Sequence, residues 1–357
     1  FPQALLAAAR LRERLKQPAE ASDLYRKFAE DLPKSPQLDE AVYRWAWAQR
    51  DLNRASDAEA LFGRVHDQFP ASRFWADATF RLAEAATARG DFDRAQKLLA
   101  ELESGKAPQD LAAHSLYLRG QMAAQRQKWD EVYTPMARLI QDHPASPLRL
   151  AAEYWIAEAS YRQGNYDDAG RRFDQLARRV AGRQDSWLAM VPLRRAQLLA
   201  QKRKWDEAYE LAAGIAEAYG DFSQQHEVDY LLGRALAARG EFDDARAAYG
   251  KVIRSTHGSK TETAAMAQWM IGETYFHQKR YEEAIREYLR VEILYGYPRW
   301  QAASLLQAGK AQEALGDWKE ATTLYAQVLE KYRDTPYAEP AAQRLRVVQQ
   351  QAVVTTR

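Results

Sequence analysis

Apolar residues return along this chain with the period of a helix, in short runs separated by turns. Between Tyr154 and Leu176, one face of a first helix carries Tyr154, Ala157 and Tyr161. One face of a second carries Ala169, Phe173 and Leu176, with Gly164-Asn165-Tyr166 between the two. The pattern predicts a helical hairpin with a buried seam. Ala157 and Ala169 are the small residues expected to let the two backbones approach, with the tyrosines and Phe173 filling the space on either side.

The same unit recurs throughout. With Ala169 as the anchor, its equivalents are Ala21, Ala58, Ala95, Val132, Ala208, Ala245, Ala284 and Ala321, at spacings of 37 or 39 residues. Twelve residues before the anchors stand Ala9, Ala46, Ala83, Gly120, Ala157, Ala196, Gly233, Gly272 and Gly309, every one Ala or Gly. Three before come Phe92, Trp129, Tyr166, Trp205, Phe242, Tyr281 and Trp318, with Pro18 and Ala55 in the first two copies. Seven after come Phe28, Val65, Leu102, Leu139, Leu176, Ile215, Val252, Val291 and Val328. Nine copies at a near-fixed period predict an all-α solenoid in which each copy buries its apolar face against its neighbours.

The copies fill residues 1–335 in repeats of 37–39, and 336–357 reads as a capping helix with a frayed tail. The first copy lacks a Gly turn and looks worn. It uses Lys16-Gln17-Pro18, where Pro opens a helix at little cost because that N–H has no helical partner. Leu32-Pro33-Lys34-Ser35, Phe69-Pro70-Ala71-Ser72 and His143-Pro144-Ala145-Ser146 end one hairpin and begin the next. The fourth copy departs most, with Val132 at the anchor and Pro135 inside the second helix, and a kink or local loosening is expected there. Ala181-Gly182-Arg183 and Thr256-His257-Gly258 carry the extra residues of the longer spacings and are expected as exposed loop tips. In the last helix Leu345 and Val348 should face inward, and Arg344, Arg346 and Gln349 to Gln351 outward.

Charge narrows the choice of partners. Fifty-one Lys and Arg against 49 Asp and Glu leave +2, too little for a chain this long to read as a binder of nucleic acid. The absence of Cys removes disulfides and thiolate chemistry without indicating a compartment. No run reaches the roughly 18 apolar residues of a membrane-spanning helix. The chain starts at Phe1 without Met, which leaves room for an upstream export signal or lipid-anchored linker.

No catalytic, cofactor or metal site can be assembled from these repeats. The acidic pairs Asp130-Glu131, Asp167-Asp168, Asp206-Glu207, Asp243-Asp244 and Glu282-Glu283 fall in the first turns of second helices, where the helix dipole favours negative charge. The histidines His66, His114, His143, His226, His257 and His277 are scattered without metal-ligand spacing. Gly258-Ser259-Lys260-Thr261 has the tail of a phosphate loop but no earlier Gly, and reads as a solvated loop. Tyr43, Phe80, Tyr117, Tyr154, Tyr230 and Trp269, three residues before the small seam positions, read as core and not as a stacking platform.

The better functional candidate is the neighbouring face of the first helices, which line the inner wall of such solenoids. It carries Arg44, Trp47, Arg81, Glu84, Trp155, Glu158, Arg162, Arg194, Arg234, Met270, Glu273, His277 and Lys310. An ordinary charged surface is the plain alternative, but Trp47 and Trp155 among arginines have the composition of interface hot spots.

These residues resemble the tetratricopeptide repeats, whose paired small residues stand twelve apart, as Gly309 and Ala321 do here. The likeness runs along essentially the whole chain. The period of 37, the Pro-x-Ser linkers and Tyr154-Trp155-Ile156-Ala157 through Asp168-Ala169 resemble a bacterial envelope branch, with repeats of the Tol-Pal coordinator and outer-membrane barrel-assembly lipoprotein type. Nine copies exceed what those proteins carry, and no N-terminal coiled coil is visible, so the resemblance extends to the module and its compartment. It implies a right-handed superhelix of about nine hairpins that holds a protein or peptide partner along a concave wall, in the periplasm or cell envelope. Alternatives are a peptidoglycan or glycan binder using Trp and Arg, and a cytoplasmic adaptor.

Overall fold

The computed structural model describes residues 2–104, 108–183, 185–220 and 222–355, all of them helix, turn or connection with no strand among the described residues. They form two compact units, Phe1–Arg172 and Phe173–Arg357. The first contains α1 (Pro2–Arg14), α2 (Pro18–Asp31), α3 (Leu38–Asp51), α4 (Ala55–Gln68), α5 (Trp75–Ala88), α6 (Phe92–Ser104), α7 (Gln109–Gln125), α8 (Trp129–Asp142), α9 (Arg149–Arg162) and the start of α10 (Tyr166–Arg179). The second continues from α10 through a short 3-10 turn (Ser186–Ala189), α11 (Met190–Gln201), α12 (Trp205–Ala218), α13 (Gln225–Ala238) and α14 (Phe242–Arg254). It ends with α15 (Glu262–His277), α16 (Tyr281–Leu294), α17 (Pro298–Leu315), α18 (Trp318–Lys331) and α19 (Ala338–Thr355).

Each second helix from α6 to α18 begins on the aromatic residue three before its anchor. The acidic pairs follow in the first turn, as expected. The turn inside each hairpin is built the same way in every copy. The residue five before the anchor is left-handed in all nine: Lys16, Asn53, Gln127, Arg203 and Lys279 with φ of 55–60°, and Gly90, Gly164, Gly240 and Gly316 with φ of 78–80°. Around it the backbone closes as a helix-ending loop, for example Asp91 N–H to Ala86 O at 2.9 Å and Arg54 N–H to Gln49 O at 2.9 Å. The first copy therefore has the standard turn despite lacking glycine.

Within the hairpins the seam is buried as the spacing requires: every anchor is at most 4 % exposed, and Ala9, Ala46, Ala83 and Ala196 are fully buried. The way it closes differs from the expected meeting of two small residues. The small position of the first helix is a hollow that receives the residue four after the anchor. A Cβ on Gly272 would lie 2.5 Å from Tyr288, one on Gly233 would lie 2.6 Å from Tyr249, and Gly309 faces Tyr325 in the same manner. In the fourth copy Gly120 receives Met136. These tyrosines are fully buried. Burying an aromatic ring removes a large apolar area from water, which is worth about 1.5–3 kcal/mol per side chain. Three of the rings also anchor their hydroxyls: Tyr25 donates to Glu13 at 2.7 Å, Tyr288 to Glu273 at 2.5 Å, and Tyr325 to Glu313. Burial, with the Glu273 carboxylate beside it, pushes the Tyr288 hydroxyl far above its usual range, so it remains a donor.

Helices two apart touch when both are first helices: α5 with α7 and α7 with α9 in one unit, and α11, α13, α15, α17 and α19 in succession in the other. Second helices do not meet to the same extent among the described residues. In each unit the first helices are thus the more closely packed layer.

Some local expectations need correction. Pro135 does not break α8, which runs unbroken from Trp129 to Asp142. Thr256 and His257 are exposed, but Gly258 is buried, with a hypothetical Cβ 2.5 Å from His226 Cβ. Gly258-Ser259-Lys260-Thr261 is therefore more than solvated loop: Thr261 caps α15 by accepting from Ala264 N–H at 3.3 Å. In α19 Val348 is buried as expected, but Arg344 turns back to donate to Glu313 on α17, 2.9 Å from Nε.

Filling the hollow under a ring held at both ends should be costly. Gly272→Ala is expected to lower stability by about 1–3 kcal/mol in denaturant unfolding, despite a gain in helix propensity. Gly214→Ala, in α12 with nothing within 4 Å of its Cβ, should stabilise by about 0.5–1 kcal/mol. Equal effects from the two changes would contradict the ring-in-hollow seam.

Candidate functional site

The first-helix face is most concentrated in the N-terminal unit. Glu40, only 6 % exposed, sits at the centre of an ion-pair cluster. Arg44 Nε donates to it at 2.8 Å, Arg10 at 3.0 Å through Nε and 2.5 Å through Nη2, and Arg73 at 3.4 Å. Arg44 Nη1 also reaches both Glu13 oxygens at 3.1 Å, and Glu13 holds the Tyr25 hydroxyl. Burial by itself would raise the Glu40 carboxyl, but the hydrogen bonds and charges of Arg10 and Arg44 outweigh it and hold the group below its ordinary value of 4.5.

One turn further along α3, Trp47 lies with its edge to Phe62 and to Tyr43, at 5.9 and 6.4 Å between ring centres. Two guanidinium groups lie over its ring, Arg50 at 4.9 Å and Arg81 at 5.1 Å. Arg81 is itself fixed by Asp77 at 3.0 Å and Glu84 at 2.7 Å. Beside them opens a hollow of about 280 Å³ lined by Arg50, Ala58, Phe62, Arg81, Glu84 and Ala85 among others. The structure therefore brings Trp47 and Arg81 into direct contact, with Arg44 one turn away.

The other predicted residues are spread along the two units, and most are already occupied. Trp155 donates its indole N–H to the Tyr117 hydroxyl at 3.0 Å. Arg162 pairs with the buried Glu158 at 2.7 Å and lies over Trp129 at 5.5 Å. In the second unit Arg194 is 7 % exposed and donates to Gln197 at 2.6 Å, too enclosed for a surface contact. Arg234 lies over Trp205 at 5.2 Å, and His277 stacks parallel on Phe242 at 6.3 Å. Met270 is half-buried against the α13–α15 core. Glu273 accepts from Tyr288 and from Gln307, the latter at 2.6 Å. Lys310 is partly exposed on α17.

A pattern that the sequence reading missed explains this occupancy. In four copies the aromatic residue that opens a second helix is covered by a cation or imidazole from the first helix of the next copy or its C-terminal end: Phe92 by Arg126 at 5.7 Å, then Trp129 by Arg162, Trp205 by Arg234, and Phe242 by His277. These contacts join one hairpin to the next. The signal was present in the repeated aromatics three before the anchors, but their partners sit at varying offsets in the following copy.

Sequence comparison places repeats on both sides of residues 73–150. Residues 193–260 and 230–298 match a family model described as "Tetratricopeptide repeat", and residues 3–35, 40–72, 151–181 and 303–335 match a second with the same description. No curated protein matches the chain at a significant level. Among solved structures, the apo form of RapI superposes with a TM-score of 0.59 at 9 % identity, over 97 % of this chain and 98 % of that one. A tetratricopeptide repeat protein from Parabacteroides merdae gives 0.55 at 15 % identity, over 76 % and 98 %. The human IFIT1 dimer with m7Gppp-AAAA gives 0.55 at 10 % identity, over 99 % and 82 %. At these identities the likeness shows the fold alone.

The Glu40 cluster makes stability depend on pH with a definite sign. Its carboxyl has a depressed value in the folded chain, so its contribution is complete above the unfolded value and is lost as pH falls through the folded one. Glu40→Gln should cost about 2–3 kcal/mol near neutral pH. The gap from the unaltered chain should narrow as pH drops below 4.5, followed by urea unfolding across that range. A gap independent of pH would show that the charge of Glu40 is not what holds the two arginines.

Proposed function

Because the chain belongs to the tetratricopeptide repeat family, we propose that it is a non-catalytic scaffold that holds a protein partner along the faces of its first helices. The observation that carries this reading is the Trp47 cluster, where a large aromatic and two guanidinium groups from neighbouring first helices meet beside a hollow of about 280 Å³ that α4 also lines. An indole offers apolar area at little entropic cost, and Arg50, exposed and lying over that ring, offers planar donors for a carboxylate. The hollow accepts a small apolar group against Phe62 and Ala85. Each such contact is modest, and repetition of the face along a unit allows several to add up in one extended partner. The 37-residue period and the Pro-x-Ser linkers support placing this scaffold in a bacterial cell envelope.

Site-specific crosslinking from the Glu84 and Ala88 positions beside the hollow, with capture of the adduct, tests the reading. A discrete protein adduct is expected, reduced about tenfold or more by Trp47→Ala and by Arg50→Gln. Arg50 is exposed, so its replacement leaves the fold intact and separates a binding defect from a folding one. Undiminished capture by both variants, or no adduct from either position, would remove the first-helix face as the binding surface.

A further inference from the structure

The third and fourth copies hold a second surface that the first-helix reading does not use. Among the described residues α6 and α7 make few contacts, and two adjoining cavities of about 280 Å³ each open along α7 between α6 and α8. Both are lined by Glu103, Leu116 and Arg138, so they form one groove. It runs from Ala112 to Arg126, a helical distance of about 20 Å. Arg119 and Arg126 stand two turns apart on α7 and at its C-terminal end, and Arg138 faces them from α8.

The three guanidinium groups are poorly matched to their carboxylates. Arg119 Nε lies 3.2 Å from Glu103 but out of hydrogen-bonding alignment, and this buried donor has no partner. Arg126, whose guanidinium also lies over Phe92, is 4.0 Å from Glu131, which is taken at 2.7 Å by Lys128 instead. Arg138 is 3.8 Å from Asp142. Arg119 is also deeper than its counter-ion, 24 % exposed against 47 % for Glu103, and Arg126 deeper than Glu131, 35 % against 45 %. Each guanidinium has five N–H donors in a fork suited to carboxylate, and a loosely held ion pair is readily exchanged for a better one.

An inorganic anion fills only a fraction of the groove's length, whereas an extended peptide spans it. We infer that this groove binds an acidic segment of a protein partner, about six residues in extended form, with side-chain carboxylates on Arg119, Arg126 and Arg138 and apolar side chains on Leu116 and Met122.

The test uses the full chain and a fluorescein-labelled, C-terminally amidated peptide of about seven alternating Asp and Leu residues, read by fluorescence polarisation. Saturable binding is expected. It should weaken at least about tenfold in Arg119→Gln and in Arg138→Gln, and stay unchanged in Arg333→Gln, an exposed change that lies on neither the groove nor the first-helix face. Arg138 is 59 % exposed, so its variant folds and decides the matter if Arg119→Gln does not fold. Lack of saturation up to about 1 mM, equal binding of a Lys-Leu peptide, stronger competition by single-stranded DNA than by unlabelled peptide, or indifference to Arg138→Gln would each overturn the inference. Crosslinking from Glu84 and Ala88 reports on the first-helix face separately, so failure of either reading leaves the other standing.

Discussion

A ring seated in a hollow is the contact on which these hairpins depend. Two helices joined by a short turn must bury a stripe that is mostly alanine, and alanine alone removes too little apolar area to hold them. Tyr249, Tyr288 and Tyr325 supply the area, and Gly233, Gly272 and Gly309 supply the space. Glycine inside a helix is unfavourable by roughly 0.5–1 kcal/mol relative to alanine, so its presence at these positions reflects the packing it permits. Two of these three rings are also held by their hydroxyls. Tyr288 has Glu273 and Tyr325 has Glu313, whereas the buried Tyr249 hydroxyl has no partner.

The polar residues of the first helices serve two purposes. In several copies part of this face covers the aromatic at the start of the preceding second helix, as Arg162 covers Trp129 and Arg234 covers Trp205. Copy-to-copy adhesion is therefore partly electrostatic and partly apolar, and residues that look like free recognition groups in sequence are already engaged. Trp47 differs because Arg50 over its ring remains exposed and a hollow adjoins them, so the contact can be extended by a partner. The groove beside Pro135 differs again: among the described residues α6 and α7 touch little, and Arg119 Nε has no hydrogen-bond partner.

Much of the fold could be read from the chain because the period is long and the small positions are invariant in size. The helices, the anchors and the aromatic starts of the second helices all follow from that. The close packing did not follow, since the partner of each glycine lies four residues past the anchor, where Tyr25, Phe62, Leu99 and Ala212 show no constancy of type. The cation-over-aromatic contacts were hidden for a similar reason: Arg126, Arg162, Arg234 and His277 sit six, seven, eleven and seven residues before their anchors. Arg194 was read as surface because its helical face looked polar, yet the structure encloses it. A one-dimensional pattern shows which face is buried and leaves open which neighbour covers it.

The left-handed turns bear on how such a chain avoids confusing its own parts. Five of the nine are made by Lys, Asn, Gln or Arg, so the hairpin imposes the backbone shape and the residue there is free to vary. Tandem copies that drift apart in this way resemble one another in geometry while differing in detail. During folding, a second helix that docks on the wrong first helix then meets mismatched rings and hollows, and misassembly between copies is disfavoured without any loss of the shared architecture.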